Sequence, residues 1–464
     1  MHTTAQNRAS LLHRKNLIVM IAIILFFILL QVLPFSEKEN KGLALLVFVG
    51  ILWLTEALHV TVTALIIPIL VVLLGLSNTK TALATFSHPI IFLFFGGFAL
   101  ATALHIQKLD RLIANKIMSM ANGNLFRAVL YLFGITAFLS MWMSNTATTA
   151  MMLPLAMGIL SHMDREKEHN TYVFVLLGIA YSASIGGMGT PVGSPPNAIV
   201  VSQLNLTFYE WMQYGIPTLL LLLPFMVATL YIVFRPKFNQ NFKHNFEQIE
   251  LTGDRKVTLI IFTITVICWI LSGYINPLLS ATLGIQGQIA SLDSIIAVTA
   301  ALILCISRVV EWKQIQDNTN WGVLILFGGG ITLSSVLSSS GASKIMADAI
   351  VFMIRDGHFY LIGLVVATFV IFLTEFTSNT ATTALLVPIF ISIAQALGLP
   401  PLGLSLIIGL GASCAFMLPV ATPPNAIVFG TGQIKQQEMI RIGIILNIIS
   451  IFLITTIGYI FWFK

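Results

Sequence analysis

Apolar residues run along this chain in stretches of about 20, the length that crosses a bilayer as a helix, with short polar joints between them. Windows of that size predict spans near 17–34, 41–57, 60–77, 89–106, 171–205, 214–234, 257–275, 290–308, 321–339, 403–430 and 439–462. Two more apolar stretches, 126–160 and 359–396, are each long enough for two helices but are interrupted near the middle by Ser, Asn and Thr. A polar break at membrane depth persists only where protein buries it or a water-filled cavity meets it. Both are therefore expected to be re-entrant hairpins, entering and leaving on one side. The pattern predicts an all-α polytopic membrane protein with about 11 transmembrane helices and two hairpins.

Composition agrees. Of 464 residues, 57% are hydrophobic and 9% charged, against roughly 25% charged in an average soluble protein. That excludes a soluble enzyme, a nucleic-acid binder and a disordered scaffold. The net charge of +6 reflects Lys and Arg gathered in cytoplasmic loops rather than an anionic macromolecular partner. With a cytoplasmic tail at 1–16, eleven spans place the C-terminus outside. On that topology 18 of the 24 Lys and Arg fall inside, Arg8 and Lys243 among them, and 6 outside, including Arg355 and Lys464. The apolar run from Leu17 follows basic residues as a signal peptide would, but Leu33-Pro34-Phe35 offers no small-residue cleavage site. It reads as a retained first span at 17–34. Cys268, Cys305 and Cys414 show neither CxxC nor His-paired spacing, so no disulfide framework or metal site is indicated.

An internal repeat carries more information. Residues 144–150 and 378–384 both read SNTATTA, and residues 195–200 and 423–428 both read PPNAIV. Phe95-Gly96-Gly97 is echoed by Phe327-Gly328-Gly329. The offsets are 234, 228 and 232 residues. Apart from the first span, each copy (41–234 and 257–464) holds five spans and one hairpin. An odd number turns the second copy upside down, and inverted repeats place a transporter's site where the halves meet at the midplane.

The repeated residues suit ions. Ser, Asn and Thr at a hairpin tip offer neutral oxygens, together with carbonyls freed by the helix break, and these fit a small hard cation such as Na⁺. The second arm starts there, so its first N–H groups favour an anion. The prolines of PPNAIV break spans 171–205 and 403–430 and start the next helices. Gly186 to Ser194 and Leu418 to Thr422 make up the approaches to these breaks. No Lys or Arg lies in a predicted span core or at either tip, and all seven Asp residues fall in joints or at interfaces. Only Glu56 and Glu375 interrupt apolar runs. Glu56 lies near the cytoplasmic end of its span, while Glu375 could orient the second hairpin or touch a ligand. An anion bound without fixed cations needs helix ends and co-bound cations, and each ion then favours the other.

The paired SNT motifs, with LPVATPPNAIVFG at 418–430 and WLTEA at 53–57, resemble the divalent-anion/sodium symporter (DASS) family, and most closely its bacterial INDY-type dicarboxylate transporters. The resemblance implies a homodimer in the bacterial inner membrane. Each protomer would have scaffold spans (41–77 and 257–308) and a transport part with hairpins 126–160 and 359–396 and broken helices 171–205 and 403–430, moving as an elevator. It implies one Na⁺ site at Ser144, Asn145 and Gly193 and another at Asn379 with oxygens of Thr374, Thr377 and Ala421. Substrate carboxylates would meet Asn145, Thr146, Asn379 and Thr380, with Thr422 and Pro423 nearby. The joints 107–125 and 340–357, carrying Asp110, Arg111, Asp348, Arg355 and Asp356, would be surface arms or ordinary connectors.

Two like polar tips facing one cavity suit a ligand with two anionic ends, so a succinate-like C4-dicarboxylate in Na⁺ symport is the leading expectation. Na⁺-coupled sulfate or citrate transport and sodium-independent dicarboxylate exchange are alternatives. An intramembrane enzyme would need a constellation such as HExxH, GxSxG or paired Asp in a span, and none occurs. A channel is disfavoured because broken inverted repeats point to alternating access.

Overall fold

A computed structural model describes residues 2–161, 163–165, 167–238, 249–354 and 359–463, with side chains from 13 onward except 350–354. Lys243, Arg355, Asp356, Lys464 and the side chain of Arg8 lie outside the described residues. Among the described residues every regular element is a helix.

Among the described residues, seven helices are long and apolar enough to cross a bilayer unaided: His13–Val32, Thr79–Ile106, His169–Gly189, Phe208–Phe234, Trp321–Ser340, Asn379–Ala396 and Gln436–Trp462. Of the other expected crossings, Glu37–Thr55 is one unbroken helix, Val60–Leu73 and Leu292–Ile306 are shorter, and 403–430 is divided into Pro401–Gly411 and Pro423–Phe429. Both hairpin stretches divide at the SNT motif, into Leu125–Ser140 with Asn145–Leu160 and Phe359–Thr374 with Asn379–Ala396. The joints at 107–125 and 340–357 contain helices Leu109–Ser119 and Ala342–Ile354.

The stretch 257–275 takes in two helices, Gly253–Ile270 and Ser272–Leu283, bent by 90°. Pro277 lies inside the second helix, where it leaves the carbonyl four residues earlier without its intrahelical partner. The second helix exposes Tyr274, Leu278 and Leu283. It occupies part of what reads as the outside joint 276–292.

The inverted repeat reappears as reciprocal packing between halves. Pro89–Ile106 of the first half packs on Leu292–Ile306 of the second, and Trp321–Ser340 of the second packs on Val60–Leu73 of the first. Glycines permit both crossings, since small residues let helix backbones approach closely. A methyl group added at Gly96 would lie 2.5 Å from the Cβ of Ala297, and one at Gly329 would lie 2.7 Å from the Cβ of Ala64. The two broken helices also meet: the Tyr181 hydroxyl donates to the Phe416 carbonyl at 2.7 Å, and the two rings pack edge to face.

Candidate functional site

Both hairpin tips and both breaks open onto one cavity of about 520 Å³. Its wall includes Ser144, Asn145, Thr146 and Gly193 from the first half and Thr377, Asn379, Thr380, Ala421, Thr422 and Pro423 from the second. Of the residues expected at the site, only Thr374 is off this wall. It is fully buried one turn behind Asn379, and its hydroxyl donates to the Asn379 Oδ1 and to the Ala412 carbonyl.

That arrangement identifies a residue the motifs alone do not mark. In the first half, the Ser140 hydroxyl donates to the Asn145 Oδ1 and to the Ala183 carbonyl, both at 2.7 Å. Ser140 stands 234 residues before Thr374, the SNT offset, so applying that offset to Thr374 would have found it. The tips match elsewhere too. Thr149 and Thr383 donate to the carbonyls of Asn145 and Asn379, each at 2.8 Å. Ser144 and Ser378 cap their helices by accepting the N–H of Ala147 and Ala381.

This capping defines what remains for a ligand. The first N–H groups of an α-helix have no partner within it. Ser144 and Ser378 each accept one, leaving the N–H groups of Asn145 and Thr146, and of Asn379 and Thr380, at the cavity. The helices Pro195–Leu204 and Pro423–Phe429 differ, because each begins with two prolines and so lacks its first two N–H donors. Free helix N–H donors are thus concentrated on the SNT tips, while the PPN segments contribute oxygens and shape.

The PPN asparagines hold their own breaks. Asn197 Nδ2 donates to the carbonyls of Gly187 and Thr190 at 2.8 and 2.7 Å. Asn425 Nδ2 donates to those of Ala415 and Leu418 at 3.0 and 3.1 Å. Neither side chain is on the cavity wall. The first break is also packed against the tip, since a Cβ at Gly187 would lie 2.4 Å from the Asn145 Oδ1 and one at Gly193 would lie 2.5 Å from the Gly187 carbonyl oxygen. A side chain at either position would fill the space where oxygens of the tip and the break converge.

The two membrane carboxylates part company. Glu375 is fully buried and off the cavity wall. It accepts the N–H groups of Phe416, Met417 and Leu418 at 2.8 to 3.1 Å and the Asn447 amide at 2.7 Å. It therefore orients the second hairpin by clamping it to the unwound stretch of the broken helix. Glu56 ends its helix in a left-handed conformation, φ 48°, and stands on the cavity wall, where the sequence suggested an interfacial place. It is the one Asp, Glu, Lys or Arg among the lining residues. Phe94, Phe98, Phe376 and Asn320 also line the wall and carry no motif that marks them. Asp110 and Asp293, expected in joints or at interfaces, are buried.

The description "Sodium:sulfate symporter transmembrane region" belongs to a family model that matches residues 9–464. The chain belongs to this family of membrane transporters. An uncharacterized transporter of Haemophilus influenzae is 68% identical over 97% of this chain and 98% of its own length. The sodium-dependent dicarboxylate transporter SdcS of Staphylococcus saprophyticus is 32% identical over 94% of this chain and 88% of its own. Among solved structures, the Alcanivorax borkumensis YdaH transporter aligns with a TM-score of 0.58 over 87% of this chain and 98% of its own, at 12% identity. That likeness extends to the fold alone.

Proposed function

We propose that this protein is a Na⁺-coupled symporter of a succinate-like C4-dicarboxylate, working by alternating access of elevator type as a homodimer in the bacterial inner membrane. The observation that carries the reading is the meeting of two like SNT tips in one cavity without Lys or Arg on its wall. Each tip presents free helix N–H groups to one carboxylate, through Asn145 and Thr146 at one end and Asn379 and Thr380 at the other, with Thr422 and Pro423 beside them. A dianion here has no fixed cation to meet, and Glu56 on the wall adds negative charge. Sodium ions supply the compensation: one at Ser144, Asn145 and Gly193, the other at Asn379, Thr374, Thr377 and Ala421. Ser140 joins the first site as Thr374 does the second. Each ion lowers the electrostatic cost of binding the other, and that reciprocity is the coupling.

The dicarboxylate reading draws support from the SdcS relatives and from the two-ended cavity. Sulfate, named in the family description, has a single centre and would engage one tip at a time. Uptake of labelled succinate into proteoliposomes, with Na⁺ or K⁺ outside, tests the proposal. Uptake is expected with Na⁺ only, with unlabelled sulfate and citrate as weak competitors. Equal uptake in both cations would leave a sodium-independent exchanger, and strong competition by sulfate or citrate would reassign the substrate.

A further inference from the structure

The two halves differ where they close against each other on the predicted outer side. In each half an indole ties the end of one helix to the start of another. Trp53 Nε1 donates to the Val60 carbonyl at 3.1 Å, and Trp269 Nε1 donates to the Asp293 carbonyl at 2.9 Å. The matching positions thus hold a valine in the first half and an aspartate in the second. Asp293 is buried, its Oδ2 accepts the N–H of Phe208 at 2.7 Å, and the Ser272 side chain also hydrogen-bonds the carboxylate. Phe208 starts the long helix Phe208–Phe234, whose N-terminus carries the capping box of Thr207 and Glu210. The repeat aligns that box with Lys435 and Glu438, so the counterpart of Phe208 is Gln436.

The contact extends to the hairpin tip. The Phe208 ring stacks on Trp269 at 4.4 Å and 13°, and on Trp142 at 6.3 Å and 12°. Trp142 lies two residues before Ser144. A continuous column therefore runs from the first tip through Phe208 to Trp269 and Asp293 of the other half. Beside it lies a second cavity of about 350 Å³, walled by His88, Ser202, Asn276 and Asp293, that shares no residue with the wall of the site. The site itself is exposed on the other side, at Glu56, Phe376 and Val420.

We propose that Asp293 is a positioning residue that latches the first hairpin tip to the second half, keeps the outer route closed, and has no equivalent on the inner side. Resting on the alternating-access part of the function proposed above, it predicts a one-sided bias in access. A charge-assisted hydrogen bond is among the stronger polar contacts a protein makes. With Val60 and Gln436 in the corresponding places, the opposite closed state lacks it, so the inward-open state is the resting one.

Access can be measured without substrate. A cysteine at Ser202→Cys reports the outer cavity and one at Val420→Cys reports the inner opening, each read as the rate of labelling by a membrane-impermeant maleimide from its own side. With Asp293 intact, Ser202→Cys should label slowly and Val420→Cys rapidly. Asp293→Ala should speed the outer reporter roughly tenfold and slow the inner one. Asp293→Asn, which keeps an oxygen for the Phe208 N–H and preserves the packing, should fall between and decides the case if the alanine variant does not fold. General loosening would speed both reporters and overturn the latch, as would unchanged rates or rapid outer labelling with Asp293 present. The outcome is independent of which anion or cation is carried.

Discussion

The two halves of this transporter line one cavity with the same residue types and use different ones to hold that wall in place. At the tips, Ser140 and Thr374 bridge Asn145 and Asn379 to the neighbouring broken helix. Behind them, the first break reaches the end of the preceding hairpin arm through one hydroxyl, since Thr190 donates to the Met141 carbonyl. The second is held by the carboxylate of Glu375, which collects three N–H groups and an amide. The residue 234 positions before Glu375 is Met141, so one place in the repeat serves as acceptor through its backbone in one copy and through its side chain in the other. The tip contacts are present in duplicate while the supports have diverged. This is expected if each tip contacts the same ligand but packs against a different environment.

The comparison can be broken most directly at the tips. Asn145→Ala and Asn379→Ala should each reduce uptake by roughly 100-fold or more, because each removes polar groups that meet ions directly, while the purified protein keeps its elution volume. A large loss in only one would show that the halves do not share the ligand. The supports should then separate by stability. Glu375→Ala leaves four buried donors without an acceptor and should cost about 3 kcal/mol or more, read as a fall in Tm in detergent. Thr190→Val removes a single hydroxyl and should cost ~1 kcal/mol. Equal losses would mean that the clamp at Glu375 is no stronger than its counterpart. Smallest is the effect of the bridging hydroxyls. Ser140→Ala and Thr374→Ala should each weaken apparent Na⁺ affinity about fivefold, the change that ~1 kcal/mol produces, with maximal uptake rate nearly preserved.

Much of this architecture is legible in the order of residues, because a break at membrane depth needs special residue types and the repeat writes them twice. SNTATTA and PPNAIV thus mark all four interruptions that line the cavity. What stayed hidden depends on distance in the chain or on ordinary residue types. Ser140 sits among apolar neighbours with no motif of its own and gains meaning only through its bond to Asn145. Glu375 was visible as a carboxylate in an apolar run, but its partners lie about 40 and 72 residues on, beyond any local pattern. Glu56 is ambiguous because a helix end at the membrane surface and a cavity wall favour the same residue. The bend at Leu271 leaves no mark in the apolar pattern, because hydropathy counts apolar residues and says nothing of direction.

The central claim is that anion and sodium compensate one another in a cavity without basic side chains. Calorimetric titration of the purified protein with succinate, at low and high Na⁺ with choline holding ionic strength constant, tests it most directly. Succinate affinity is predicted to rise steeply with Na⁺, and Na⁺ affinity to rise by the same factor with succinate. A succinate Kd that is measurable and unchanged across the Na⁺ range would contradict it.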